Sequence, residues 1–143
     1  DPQLLVLDEP TAGIDPIARE EALDALRDFM DDDRAILISS HITTDLEHIA
    51  DRIVCIDDGR IVFDIPKDDI CDTAGVARCR SEEVDAVVGS GLVGSPVHVL
   101  RSAFSTDVLI PDRRMFAQAY PEVALDRVTI EEYMALYLKG ETR

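Results

Sequence analysis

Two adjacent carboxylates, Asp8 and Glu9, close an unbroken apolar run of Leu4, Leu5, Val6 and Leu7. Such a run is the pattern of a strand covered on both faces of a parallel sheet. Charges at its carboxyl end lie at the edge where sheets of this kind bind ligands. A pair of acids at that edge suits nucleotide hydrolysis, which needs two tasks done. One acid holds the shell of a magnesium ion, and the other orients or deprotonates the attacking water. Taken alone, the run is equally a buried strand ending in a solvated acidic turn. The residues that follow decide between the two. A second apolar run, 35–39, leads into Ser40 and His41. An imidazole there can donate a proton to a phosphate oxygen while its other nitrogen is held by a neighbour.

These residues need elements to place them. Asp15 can cap a helix whose first turn accepts Pro16. Ala22, Ala25 and Phe29, with Leu23, Leu26 and Met30, recur at helical spacing, so one face of that helix packs on the sheet. Residues 31–34 make a turn, and the Asp31, Asp32, Asp33 triplet in it reads as a solvated helix end. Strand 35–39 should then lie parallel to strand 4–7, joined to it by the helical crossover. That arrangement brings Glu9 and His41 to one rim, with side chains about 10 Å apart or less. Thr44 with Glu47 fits a capping box for a short helix reaching Ala50. Residues 53–56 and 60–63, joined by Asp58 and Gly59, read as a β-hairpin with a two-residue turn.

In order and spacing, LLVLDEPTAGIDP, then ILISSH, then ADRIVCIDDGRIV closely resembles the ATP-binding subunit of ABC transporters. Residues 4–9 look like its Walker B strand with the catalytic glutamate, residues 12–15 like its D-loop, and His41 like its switch histidine. The resemblance is close over residues 1–66 and loose beyond. It implies an α/β fold: the C-terminal part of a P-loop NTPase core with parallel strands, followed by a small α+β extension at 67–143. It implies ATP and magnesium as cofactors. Glu9 is then the general base or water-orienting residue, Asp8 acts on magnesium through water, and His41 contacts the γ-phosphate. Asp15 sits where a second ATPase subunit is met, besides capping its helix. The implied partners are that second subunit and a transmembrane permease. The implied place is the cytoplasmic face of a membrane, reached through the permease, and the implied direction is export.

No GxxxxGKS/T loop occurs in the sequence, and neither does an LSGGQ-type signature or a Q-loop glutamine. In the resembling family all three precede the Walker B strand, and residue 1 here is Asp rather than Met. The expectation is a C-terminal portion of a longer subunit. Without a backbone nest or lysine for the phosphates, this portion alone should bind ATP poorly and hydrolyse none. It should also leave apolar surface uncovered around residues 4–7.

Composition narrows the alternatives. With 14 Lys and Arg against 30 Asp and Glu, the formal net charge is −16. Such a surface repels nucleic acid and anionic lipid headgroups, which argues against direct binding to either. The acidic balance also disfavours a soluble ABC-type ATPase acting on ribosomes or DNA, the first alternative reading. No apolar segment reaches the length of a membrane span, so no direct insertion is expected. Cys55, Cys71 and Cys79 are irregularly spaced beside apolar stretches and read as structural thiols rather than metal ligands. His48 and His98 have no motif around them.

Pro66 marks the expected boundary. Beyond it the pattern predicts a helical turn near 67–71, a strand over 76–80, a helix over 82–88 and a glycine-rich turn over 89–96. Strands over 97–101 and 106–110 follow, then a helix from Asp112 to Tyr120. A last helix is opened by a capping box of Thr129 and Glu132. A regulatory or interaction module at 67–143 is the second alternative for what this chain does.

Overall fold

The computed structural model describes residues 2–143, which form two compact units, one ending at Ala50 and the other running from Asp51 to Arg143. The first residue of the expected 1–66 segment lies outside the described residues.

In the first unit, β1 (Leu4–Asp8) and β2 (Ala35–Ser39) are parallel, with Leu4 opposite Ala35 and Asp8 opposite Ser39. Between them runs α1 (Pro16–Phe29), and after them comes α2 (Thr43–Ile49). Helix α1 starts where the sequence says it should. Pro16 stands in its first turn, and Asp15 accepts from the amides of Ile17 and Ala18, both at 3.1 Å. Met30 ends the helix in extended backbone.

Helix α2 departs from expectation. It begins at Thr43, one residue before the anticipated cap, and Ile42 caps it without a side-chain bond. Thr44 therefore lies inside the helix, and its hydroxyl accepts from the Arg19 guanidinium at 3.1 Å instead of capping. The apolar strands would be covered on both faces in a complete parallel sheet, but here, as expected of a portion that leaves residues 4–7 uncovered, they are not. In each strand the residues alternate between exposed and half-buried. Leu4, Val6 and Leu37 are exposed by 56%, 68% and 62%, so one face of this two-stranded sheet stays open.

The second unit opens with a hairpin of β3 (Arg52–Asp57) and β4 (Arg60–Pro66), longer than expected at both ends. Asp58 and Gly59 both have positive φ, 45° and 72°, as a two-residue turn requires. A bulge between Cys55 and Ile56 shifts the register. A π-helical turn, Asp69–Thr73, leads into a β-α-β-β-α-β arrangement. Its elements are β5 (Gly75–Cys79), α3 (Val84–Val88), β6 (His98–Arg101), β7 (Thr106–Ile110), α4 (Arg113–Ala119) and β8 (Ala124–Arg127). Then come α5 (Ile130–Lys139) and a short β9 (Glu141–Thr142). The sheet is antiparallel in the order β8-β5-β7-β6-β9.

Both sides of this sheet are covered. Ala77, Cys79, Val99, Val108 and Ile110 pack with Val84 and Val87 of α3 and Phe116 of α4 in one core. On the other side lies α5, whose capping box of Thr129 and Glu132 forms as its sequence predicts. Phe63 of the hairpin meets Tyr133 and Tyr137 of α5 edge-on, each with ring centroids 5.1 Å apart. The hairpin thus packs within the second compact unit, and the units divide after Ala50.

Strands β8 and β9 were not anticipated. Ala124, Leu125, Asp126 and Arg127 show no clear alternation, and their strand geometry comes from pairing with β5. Among the described residues Cys55, Cys71 and Cys79 form no disulfide; Cys55 and Cys79 are buried and Cys71 is half-buried. Burial pushes the Cys79 thiol up to about 11, so it stays protonated and unreactive near neutral pH. No helix among the described residues is long and apolar enough to cross a membrane.

Candidate active site

The carboxyl ends of β1 and β2 stand side by side, because Asp8 and Ser39 are register partners. The next residue on each strand departs from the ladder. The Glu9 amide still donates to the Ser39 carbonyl at 2.8 Å, but Glu9 itself has φ 47°. A left-handed backbone in a non-glycine residue costs roughly 1–2 kcal/mol. Such departures cluster where a side chain must be aimed. Here the turn directs the Glu9 carboxylate toward the residues after β2. Its Oε1 accepts from the His41 amide at 2.9 Å and lies 2.8 Å from His41 Nδ1, while Ser40 Oγ donates to Oε2 at 3.4 Å. One carboxylate therefore gathers three donors from the 40–41 segment. Asp8 is held separately, by the Ser39 hydroxyl.

The structure thus brings together Asp8, Glu9 and His41, three of the four residues singled out in the sequence. With its Nδ1 proton given to Glu9, the His41 ring points a second nitrogen elsewhere, and both nitrogens donate only when the ring is doubly protonated. The His41 side chain is 75% exposed and that of Glu9 34%, so the pair is open to a ligand. Asp15, the fourth, lies at the far end of the 10–16 loop, where its side chain caps α1. Gly13 gives that loop its positive φ of 75°.

Sequence reasoning missed Thr11 and Asp45. Each is only 2% exposed. The Thr11 hydroxyl donates to Asp45 Oδ2 at 2.5 Å, and Arg19 Nε donates to Asp45 Oδ1 at 2.7 Å. An aspartate this deeply buried is rare unless paired. No local pattern marks it, since its partners lie 34 and 26 residues away in the chain. Burial alone pushes the Asp45 carboxyl up. The hydrogen bonds from Arg19 and Thr11 and the positive charge of Arg19 outweigh burial and hold it below the usual aspartate range.

This depression fixes a sign for acid stability. The folded carboxyl gives up its charge at lower pH than the unfolded one does. Its contribution is complete above the ordinary aspartate value of about 4 and is lost as pH falls through the lower folded value. Denaturant unfolding of the chain from pH 7 down to pH 3 should show stability dropping below about pH 4. Asp45→Asn should make that drop shallower. An unchanged slope in the variant would show that other carboxylates carry it.

No family model matches the chain. Curated relatives do. The lantibiotic transport ATP-binding protein SrtF of Streptococcus pyogenes is 44% identical over 63 residues, covering 44% of this chain and 28% of that protein. Nod factor export ATP-binding protein I of Neorhizobium galegae is 39% identical over 66 residues, covering 46% of this chain and 19% of the relative. The linearmycin resistance ATP-binding protein LnrL of Bacillus subtilis strain 168 is 35% identical over 74 residues, covering 52% and 24%. Over these stretches, about half of its length or less, the chain is similar to ABC transporter ATP-binding proteins. It spans less than a third of the length of each of these relatives.

Proposed function

We propose that this chain is the C-terminal portion of the ATP-hydrolysing subunit of an ABC transporter, one that couples ATP turnover to export. The observation that carries the reading is the convergence of Glu9 and His41 at the carboxyl edge of two parallel strands, with Asp8 beside them. The names of the relatives, which speak of transport, export and resistance, support the same direction. The ATPase portion is residues 1–66, a segment of P-loop NTPase core, and 67–143 is an extension. The hairpin packs on the extension because Phe63 needs the aromatic face of α5.

Each residue has a task in this reading. Glu9 takes a proton from, or orients, the attacking water. His41, held through Nδ1, donates from its other nitrogen to the γ-phosphate when the ring is doubly protonated. Asp8 is a hard oxygen ligand, which fits a magnesium shell better than nitrogen or sulfur would. Magnesium, when bound with ATP, neutralises charge that develops on the phosphate oxygens. Asp15 stands in the loop that meets a second ATPase subunit, and a permease subunit carries the cargo at the cytoplasmic face of the membrane.

A phosphate-release assay on the whole protein tests the reading. Magnesium-dependent ATP turnover is expected, and His41→Ala should lower it by about 100-fold or more, because a positioned side chain at the reacting group contributes on that order. No turnover in the parent, or turnover indifferent to His41→Ala, would sink the assignment.

A further inference from the structure

Among the described residues of the first unit, Asp45 and Thr11 are the two polar ones that the structure buries almost completely, and they are bonded to each other. Neither belongs to the Glu9–His41 contact. Their positions in the chain are nevertheless telling. Thr11 lies two residues after Glu9, and Asp45 lies four residues after His41. Thus the segment leaving β1 and the segment leaving β2 are joined twice. Glu9 to the His41 amide and ring is one join, and Thr11 to Asp45 is the other. Arg19 adds a third strut from α1, reaching Asp45 at 2.5 Å through one guanidinium nitrogen and Thr44 at 3.1 Å.

The two joins differ in character. The Glu9–His41 contact is open to water. The Thr11–Asp45 bond is dry, charge-assisted and backed by Arg19, so it is the stiffer of the two. A dry bond of this kind fixes the distance between the two segments. The cost of burying the Asp45 charge is met by three donated bonds and one cation.

We propose that Asp45, bonded to Thr11, is a positioning residue that holds the Glu9 and His41 segments at their working separation. This rests on the ATPase reading for its catalytic consequence and on the geometry alone for its structural one. The latch touches no reacting atom. Its loss should therefore slow the chemical step and leave nucleotide binding largely as it was, because misplacement by about 1 Å can cost up to about 100-fold in rate.

Thr11→Val removes the hydroxyl at nearly constant volume, whereas Thr11→Ser keeps it. Asp45→Asn keeps the shape and removes the charge, but leaves Arg19 short of its counter-ion and can compromise folding, so the Thr11 pair is decisive. In the whole protein, Thr11→Val should lower kcat by between about 10-fold and 100-fold with KM nearly unchanged, and Thr11→Ser should restore kcat. In the chain itself, amide exchange followed by NMR should speed up at the His41 N–H in Thr11→Val, while the β1–β2 ladder amides keep their parental rates. Parental kcat in Thr11→Val, or a loss that serine does not recover, overturns the proposal. If the parent hydrolyses no ATP, the ATPase reading fails instead. The His41 exchange rate then decides the latch: acceleration supports it and an unchanged rate overturns it.

Discussion

Glu9→Gln in the whole protein should reduce ATP turnover by about 100-fold to 10,000-fold, the range lost when a positioned general base is removed. The substitution suits the question because the structure predicts little rearrangement. The amide oxygen of glutamine can still accept from the His41 N–H and from Nδ1, as Oε1 does now at 2.9 and 2.8 Å. The amide nitrogen would take the place of Oε2, facing Ser40 Oγ, and a hydroxyl can accept as readily as donate. What disappears is the negative charge and the capacity to take a proton. Nucleotide binding should therefore persist while hydrolysis does not. Phosphate release measured alongside equilibrium binding of a fluorescent ATP analogue separates the two. Turnover within a few-fold of the parent would mean that another group handles the water. Lost binding would mean that Glu9 serves the architecture of the rim.

The second large effect belongs to the other unit. Phe116→Ala should destabilise the chain by about 3–5 kcal/mol, the usual range for emptying a buried aromatic site. Phe116 is 0% exposed and sits in the cluster formed by β5, β6, β7, α3 and α4. It also stacks on Tyr120, with ring centroids 5.1 Å apart and planes at 21°. A loss of that size is a large share of the roughly 5–15 kcal/mol that holds an ordinary domain together. Met115, its neighbour in α4, is 55% exposed, and Met115→Ala should stay within about 0.5 kcal/mol of the parent. Urea unfolding followed by circular dichroism would compare the two. Equal midpoints for both variants would show that the helix does not rely on this core.

The residues of the rim and most elements were legible along the chain. An apolar run ending in Asp8 and Glu9, a second ending before His41, and a proline after a capping aspartate are local signals. Local geometry is what they specify: strands, a capped helix and a two-residue hairpin turn. Period-two and period-3.6 patterns survive without knowledge of the partner surface, which is why β2, β7 and α5 were placed so closely.

Contacts between distant segments were not legible. The left-handed backbone at Glu9 was invisible because glutamate has no preference for it, and only the 40–41 segment brings the donors that hold its carboxylate there. Asp45, on a short helix, carries no local mark of its burial, which comes from Thr11 and Arg19 far away in the chain. Thr44 fits a cap by sequence, yet the fold gives that position to Ile42, and the Thr44 hydroxyl accepts from Arg19 instead. Strand β8 has too little pattern to declare itself and becomes a strand through the hydrogen bonds that β5 offers. Residue type and spacing determined which groups could do chemistry here. Their separation, burial and hydrogen-bond partners depended on segments far apart in the chain, and only the folded structure could decide them.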